Sequence, residues 1–195
     1  MSPVSQLDDV GTALLRAADH LLATEGPAAL TVRRIATDAG VSTMNVYSRF
    51  GGKDGVVEQL FMQGFQLLAG YMNEVGTTAD PLADLRGCGQ AYRRFATEHE
   101  TLYSVMFERV VADYVPSAEA LAIAKHTLEL LAARIERAMD AGIIRRMDAV
   151  HAAAIVWSTC HGAVSLQVKH VADEPVDWSA VFDDATEAVV RGLAP

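Results

Sequence analysis

Between Ser42 and Lys53 the chain places a serine, a threonine, a methionine, an asparagine, a tyrosine, an arginine and a lysine within twelve residues. These types suit two kinds of contact with a nucleic acid. Ser42, Tyr47, Arg49 and Lys53 can donate to phosphate oxygens. Asn45 carries the donor–acceptor pair that adenine takes in a major groove, and Met44 or the methyl of Thr43 can pack on a thymine methyl. Upstream, Thr31 can touch phosphate, and Arg33 can reach a base edge or the backbone. Arg34 reads as a solvated surface charge.

For these residues to act together, the segment from Leu30 to Lys53, LTVRRIATDAGVSTMNVYSRFGGK, must fold as two short helices with a tight turn between them. Thr31 supplies an N-cap hydroxyl for the first. Gly40 tolerates the left-handed conformation that ends it. Ser42 is then expected to cap a second helix running from Thr43 to about Arg49. Val46 and Phe50, four apart, fold back on Ile35 and Val41. Thr43, Met44, Asn45, Tyr47 and Arg49 are left facing outward. Gly51-Gly52 breaks the helix and Lys53 opens the next. Two such helices cross steeply, and the second can enter a major groove, with its first amides open to an anion.

The segment resembles the TetR family of bacterial transcriptional repressors. The resemblance rests on LLATEGPAALTV, RRIATDAGVS and NVYSRFGGKDGVVEQLF and covers residues 8 to 62. Tyr47 and Phe50 match the family's aromatic pair three apart, and Lys53 matches the lysine that opens the fourth helix. Farther on, WSTCHG, with Trp157, His161 and Gly162, resembles the Trp-His-Gly motif of one subgroup of C-terminal domains. This resemblance implies an all-α fold of about nine helices. A three-helix DNA-binding domain at 1–52 would precede a larger helical domain at 53–195. It further implies a cytoplasmic homodimer joined through its last two long helices, double-stranded operator DNA as partner, no cofactor, and an unidentified small-molecule effector enclosed by the middle helices. Two-fold related recognition helices would sit about 34–36 Å apart, the spacing of a palindromic operator.

Candidate cavity residues are Phe65, His99, Tyr103, Met106, Trp157 and His161. Met and aromatic stripes also serve plain cores. Trp157 and His161, four apart on one helical face, fit either an effector wall or a packed Trp with a hydrogen-bonded His, Gly162 then allowing close helix contact.

The net charge of −9 argues against a broadly basic binding protein. Residues 1–55 hold five basic and six acidic groups, so most of the acidity lies beyond them. Few phosphate contacts per subunit make binding depend on a dimer. This thin basic footprint leaves a second reading open, a helical small-molecule-binding dimer without functional DNA binding.

The remaining pattern is helical nearly throughout. Helices are expected over Leu7–Ala23, Lys53–Val75, Pro81–Glu98, Glu100–Val110, Pro116–Gly142, Asp148–Ala172 and Trp178–Leu193. Ala149 to Val168 holds no Asp, Glu, Lys or Arg, but its two His, two Ser, Thr and Gln argue for a central bundle or dimer helix over a membrane span. The N-terminus is polar and acidic, unlike a signal peptide.

Cys88 and Cys160 read as reduced thiols. Cys160 and His161 are adjacent, so on a helix they diverge by about 100° and cannot form a nucleophile–base pair. His126, His151, His161 and His170 have no ligands at metal spacing, and no strand precedes a phosphate loop. An enzyme is not expected.

Overall fold

The computed structural model describes residues 7–108, 110–111, 113–170 and 175–195, and their regular structure is all helical. Nine α-helices occur among the described residues: α1 (Asp9–Glu25), α2 (Val32–Asp38), α3 (Thr43–Phe50), α4 (Lys53–Glu74), α5 (Pro81–Glu98), α6 (Glu100–Phe107), α7 (Ala118–Asp140), α8 (Ala149–Val168) and α9 (Trp178–Gly192). This is the all-α order expected. A 3-10 turn at Pro27–Ala29, not expected, follows Gly26. Helix α6 stops at Phe107, short of Val110. The expected end of α8 at Ala172 lies outside the described residues.

The chain forms two compact units, Met1–Gly64 with Thr101–Leu121, and Phe65–Glu100 with Ala122–Pro195. In the first, Asp8 caps α1 by accepting from the Gly11 amide at 2.7 Å. Leu14, Ala18 and Leu21 of α1 are fully buried, as are Ile35 of α2 and Val46 of α3. Burying one such Leu, Ile or Val contributes roughly 1.5–3 kcal/mol, so these five side chains are the shared core that holds α1, α2 and α3 together. The turn into α4 needs glycine, because Gly51 and Gly52 have φ of 72° and 138°. Gly55, one turn later, is needed for a different reason. A Cβ there would lie 1.7 Å from the Phe50 carbonyl oxygen, so the start of α4 presses directly on the end of α3.

The first unit also includes α6 from Thr101 onward and the start of α7. Glu58 of α4 accepts from the Tyr114 hydroxyl and from the Ser117 amide at 3.2 Å. Phe61 meets the Tyr114 ring at 6.0 Å. Together these contacts anchor the approach to α7.

In the second unit α9 and α5 both pack on α8. Phe95, Ile135, Ile144, Val164 and Phe182 are its buried anchors. Asp84, only 3% exposed, accepts from Thr78 N at 2.9 Å, Thr78 Oγ1 at 2.7 Å and Arg137 Nη1 at 2.6 Å. Cys88 and Cys160 are buried free thiols, and burial pushes them up to about 11 and about 12. Such thiols stay protonated and unreactive.

Helix α8 is long and apolar enough, by length and composition, to cross a membrane. Several of its polar groups bond within the chain: Gln167 accepts from Arg93 Nε at 3.0 Å, and Ser158 and Thr159 donate to carbonyls one turn back. Only 33% of its most apolar stretch is buried, and Val150, Leu166 and, on α9, Val181 stand exposed.

Candidate nucleic-acid interface

Helix α2 begins as its sequence dictates. Thr31 Oγ1 accepts from the Arg34 amide at 3.2 Å, and Gly40 takes a φ of 69° beyond its end. Helix α3 then buries Val46, half-buries Asn45 and Phe50, and leaves its remaining residues exposed. Met44 is 70% exposed and Tyr47 is 55% exposed. An apolar side chain left that open contributes little to the fold and is available for contact. Thr31, Arg33, Ser42 and Thr43 are also exposed, and Asn45 and Lys53 are half-buried. The tyrosine ring lies over the interhelical turn, where a Cβ on Gly52 would be 3.8 Å from its Cε1.

One detail departs from expectation. Ser42 has the backbone of an N-cap but its hydroxyl makes no capping bond. Instead it accepts from Asn45 Nδ2 at 3.2 Å, since the amide one turn along reaches it first. Asn45 Oδ1 accepts from Arg49 Nη1 at 2.8 Å. Arg49 is held in turn by Asp8, through Nε to Oδ1 at 2.9 Å and Nη2 to Oδ2 at 2.6 Å. The Arg49 hydrogen bonds, with the Gly11 amide, hold the Asp8 carboxyl down at about 2. This network is closed by a residue 41 positions away in the chain. Asp8 was not among the expected site residues, and nothing in the spacing could have revealed it.

Charge on this surface is therefore thinner than composition suggests. Arg34 pairs with Glu25 at 2.5 Å and Arg49 pairs with Asp8. Arg33 and Lys53 form no ion pair among the described residues.

The candidate effector residues are divided. Tyr103 and Met106 lie buried on α6 in the first unit, where the Tyr103 ring meets that of Phe107 at a tilt, with centroids 5.1 Å apart, and Met106 faces Gly64. Phe65, His99, Trp157 and His161 belong to the second unit. There Phe65 is buried, while His99 ends α5 with its Nε2 3.0 Å from the Tyr71 hydroxyl. Trp157 and His161 do meet, with ring centroids 5.7 Å apart, and His161 Nδ1 lies 3.0 Å from the Tyr92 hydroxyl. Gly162 does not serve a close contact within the chain, since a Cβ there would meet open space. A groove of about 450 Å³ in the second unit is lined by Glu74, Gln90, Arg93, Arg94 and Thr97 among others, and by none of the six candidates.

Two short helices with a glycine turn between them, the second presenting Met44 and Tyr47 to solvent, define a helix-turn-helix protein. Residues 14–60 match the bacterial regulatory proteins of the tetR family, and residues 85–189 match the tetracyclin repressor-like C-terminal domain. The chain belongs to the TetR family, a family of regulators and not of enzymes. It is 36% identical over 97 residues to the HTH-type transcriptional repressor KstR2 of Mycobacterium tuberculosis, over 49% of this chain and 48% of that protein. The chain thus spans about half the length of the curated relatives it matches. Among solved structures it is similar to a protein of unknown function from Rhodococcus sp. RHA1, with a TM-score of 0.83 and 23% identity over 100% of both chains. It is also similar to the TetR family regulator PfmR from Thermus thermophilus, with a TM-score of 0.73 and 22% identity over 93% of this chain and 99% of that one. At these identities the two structures establish the fold.

Proposed function

We propose that this chain is a sequence-specific DNA-binding transcriptional regulator, a repressor released from a palindromic operator by a small-molecule effector. The observation that carries this reading is the face of α3. Val46 is fully buried while Met44 and Tyr47, on the other side, are 70% and 55% exposed. A helix built only for packing does not spend its large side chains on solvent. In this reading residues 1–52 read DNA, and residues 53–195 bind effector and dimerise. Thr43, Met44 and Asn45 contact bases. Thr31, Ser42, Tyr47 and Lys53 position the backbone, Arg33 reaches either, and Arg49 belongs to the same face beside Asn45.

The dimer joins through α8 and α9. The support is an uncharged 20-residue helix whose most apolar stretch is only one-third buried in its own chain, with open space at Gly162. Small residues there let two copies approach closely. A cytoplasmic setting, with no membrane, follows from a regulator that meets DNA. The effector site draws on the candidates that share the second unit, Phe65, His99, Trp157 and His161. The effector acts by binding more tightly to the dimer geometry that does not fit the operator, with a coupling of about 1–3 kcal/mol.

The test is fluorescence anisotropy with DNA from upstream of the protein's own gene, at two salt concentrations, on wild type and on the Tyr47→Phe/Lys53→Ala variant. Saturable binding that survives competitor DNA and is lost in the variant supports the reading. Binding that competitor removes equally from both proteins favours the effector-binding dimer without a working reader.

A further inference from the structure

We infer that Asp8 is a positioning residue of the DNA reader, which acts through Arg49 to fix the base-reading amide of Asn45. The inference rests on the proposed DNA-reading role of α3. The warrant is a chain of contacts in which each partner's chemistry leaves one arrangement. A carboxylate only accepts, so Asp8 takes Arg49 at 2.9 Å and 2.6 Å and fixes where the guanidinium lies. A guanidinium only donates, so its 2.8 Å contact with Asn45 can be made by Oδ1 and not by Nδ2. Nδ2 must then point the other way, and it donates to Ser42 at 3.2 Å. Ser42 precedes Asn45 by three residues and Arg49 follows it by four, so the amide is gripped from both sides along the helix.

The grip leaves Asn45 with work to do. A primary amide has two N–H groups and two lone pairs on oxygen. One of each is taken within the chain, and one of each remains. That remainder is the donor–acceptor pair that adenine takes in the major groove. Without Asp8, Arg49 is a mobile cation next to a phosphate-rich surface, and the amide can turn over. Asp8 thus trades a phosphate contact for a fixed reading edge.

The experiment is site selection from a randomised duplex library, followed by Kd ratios at several salt concentrations, on the full chain. Wild type and Asp8→Ser are compared, because serine keeps the cap on α1 but cannot reach Arg49. Arg49→Met breaks the same link without touching the cap. Asn45→Ala marks which base position the amide reads. Wild-type preference at that position, on the order of 10-fold, is expected to fall below about 3-fold in both link-breaking variants, with other positions unchanged. Asp8→Ser should also steepen the salt slope by about one unit per subunit as Arg49 turns to phosphate. In the Asp8→Ser/Asn45→Ala double variant no loss beyond that of Asn45→Ala is expected. If wild type selects a motif and both Asp8→Ser and Arg49→Met keep its full preference, the inference is wrong and Asp8 is only a cap. A uniform loss at every base position in both variants would overturn it too. If wild type itself selects no motif, the DNA-reading role fails and the inference falls with it.

Discussion

Asp84 on α5 and Arg137 on α7 meet at 2.6 Å, and Arg137 also donates through Nη2 to the Thr78 carbonyl at 2.6 Å. One guanidinium thus ties the α4–α5 loop and the α5 start to the far end of α7. Its hydrogen bonds, with those of Thr78, hold the Asp84 carboxyl at about 2 against an ordinary value of 3.8. A carboxyl depressed on folding stabilises fully above its unfolded value and loses that contribution as pH falls through its folded value. Stability should therefore drop between about pH 4 and pH 2. Asp84→Asn should be less stable than wild type at neutral pH, and the gap should narrow toward pH 2. Thermal midpoints across that range check this; a constant gap would remove Asp84 from the acid response.

Gly55→Ala should damage the reader from outside it. The added methyl would sit 1.7 Å from the Phe50 carbonyl oxygen, a backbone atom with no rotamer to escape by. Overpacking costs about 1–3 kcal/mol where side chains can shift, and more is expected here. Urea unfolding gives the loss directly. An alanine variant of wild-type stability would mean that α4 can slide along α3.

Met44→Ala should leave the unfolding midpoint within about 0.5 kcal/mol of wild type, because so exposed a residue carries no packing. Site selection should nevertheless change at one position. Ile35→Ala is the contrast, at 0% exposure, and should cost roughly 2–5 kcal/mol. Equal stability losses in the two would contradict the orientation of α2 and α3.

Leu166→Glu on α8 should separate the dimer, since Leu166 is 45% exposed in its own chain and a carboxylate there would have to be desolvated between subunits. Sedimentation of the variant should give a monomer with weakened operator affinity. A dimer that survives would move the interface off α8.

The helices were legible wherever the sequence punctuates itself. Thr31, Gly40 and Gly51 mark the ends of α2 and α3, and Pro81 and Gly142 do the same for α5 and α7. Local signals of that kind act over a few residues and survive in any fold. The outward face of α3 followed from where Val46 had to go. Contacts between distant positions were not legible. Asp8 and Arg49 read as a first-helix acid and a phosphate cation, and only the folded chain makes them one pair. Gly55 looked like an ordinary helix residue, because no spacing announces that a neighbouring carbonyl lies beneath it. The six effector candidates shared composition but not place, since apolar and aromatic residues fill any helical core alike.

The open face of α8 also bears on how this protein can be handled. If its apolar stripe is covered only by a second copy, folding and association are one equilibrium. The unfolding temperature then becomes a property of the solution as well as of the chain, and should climb as protein is added. Dilution would then loosen the fold and release DNA together.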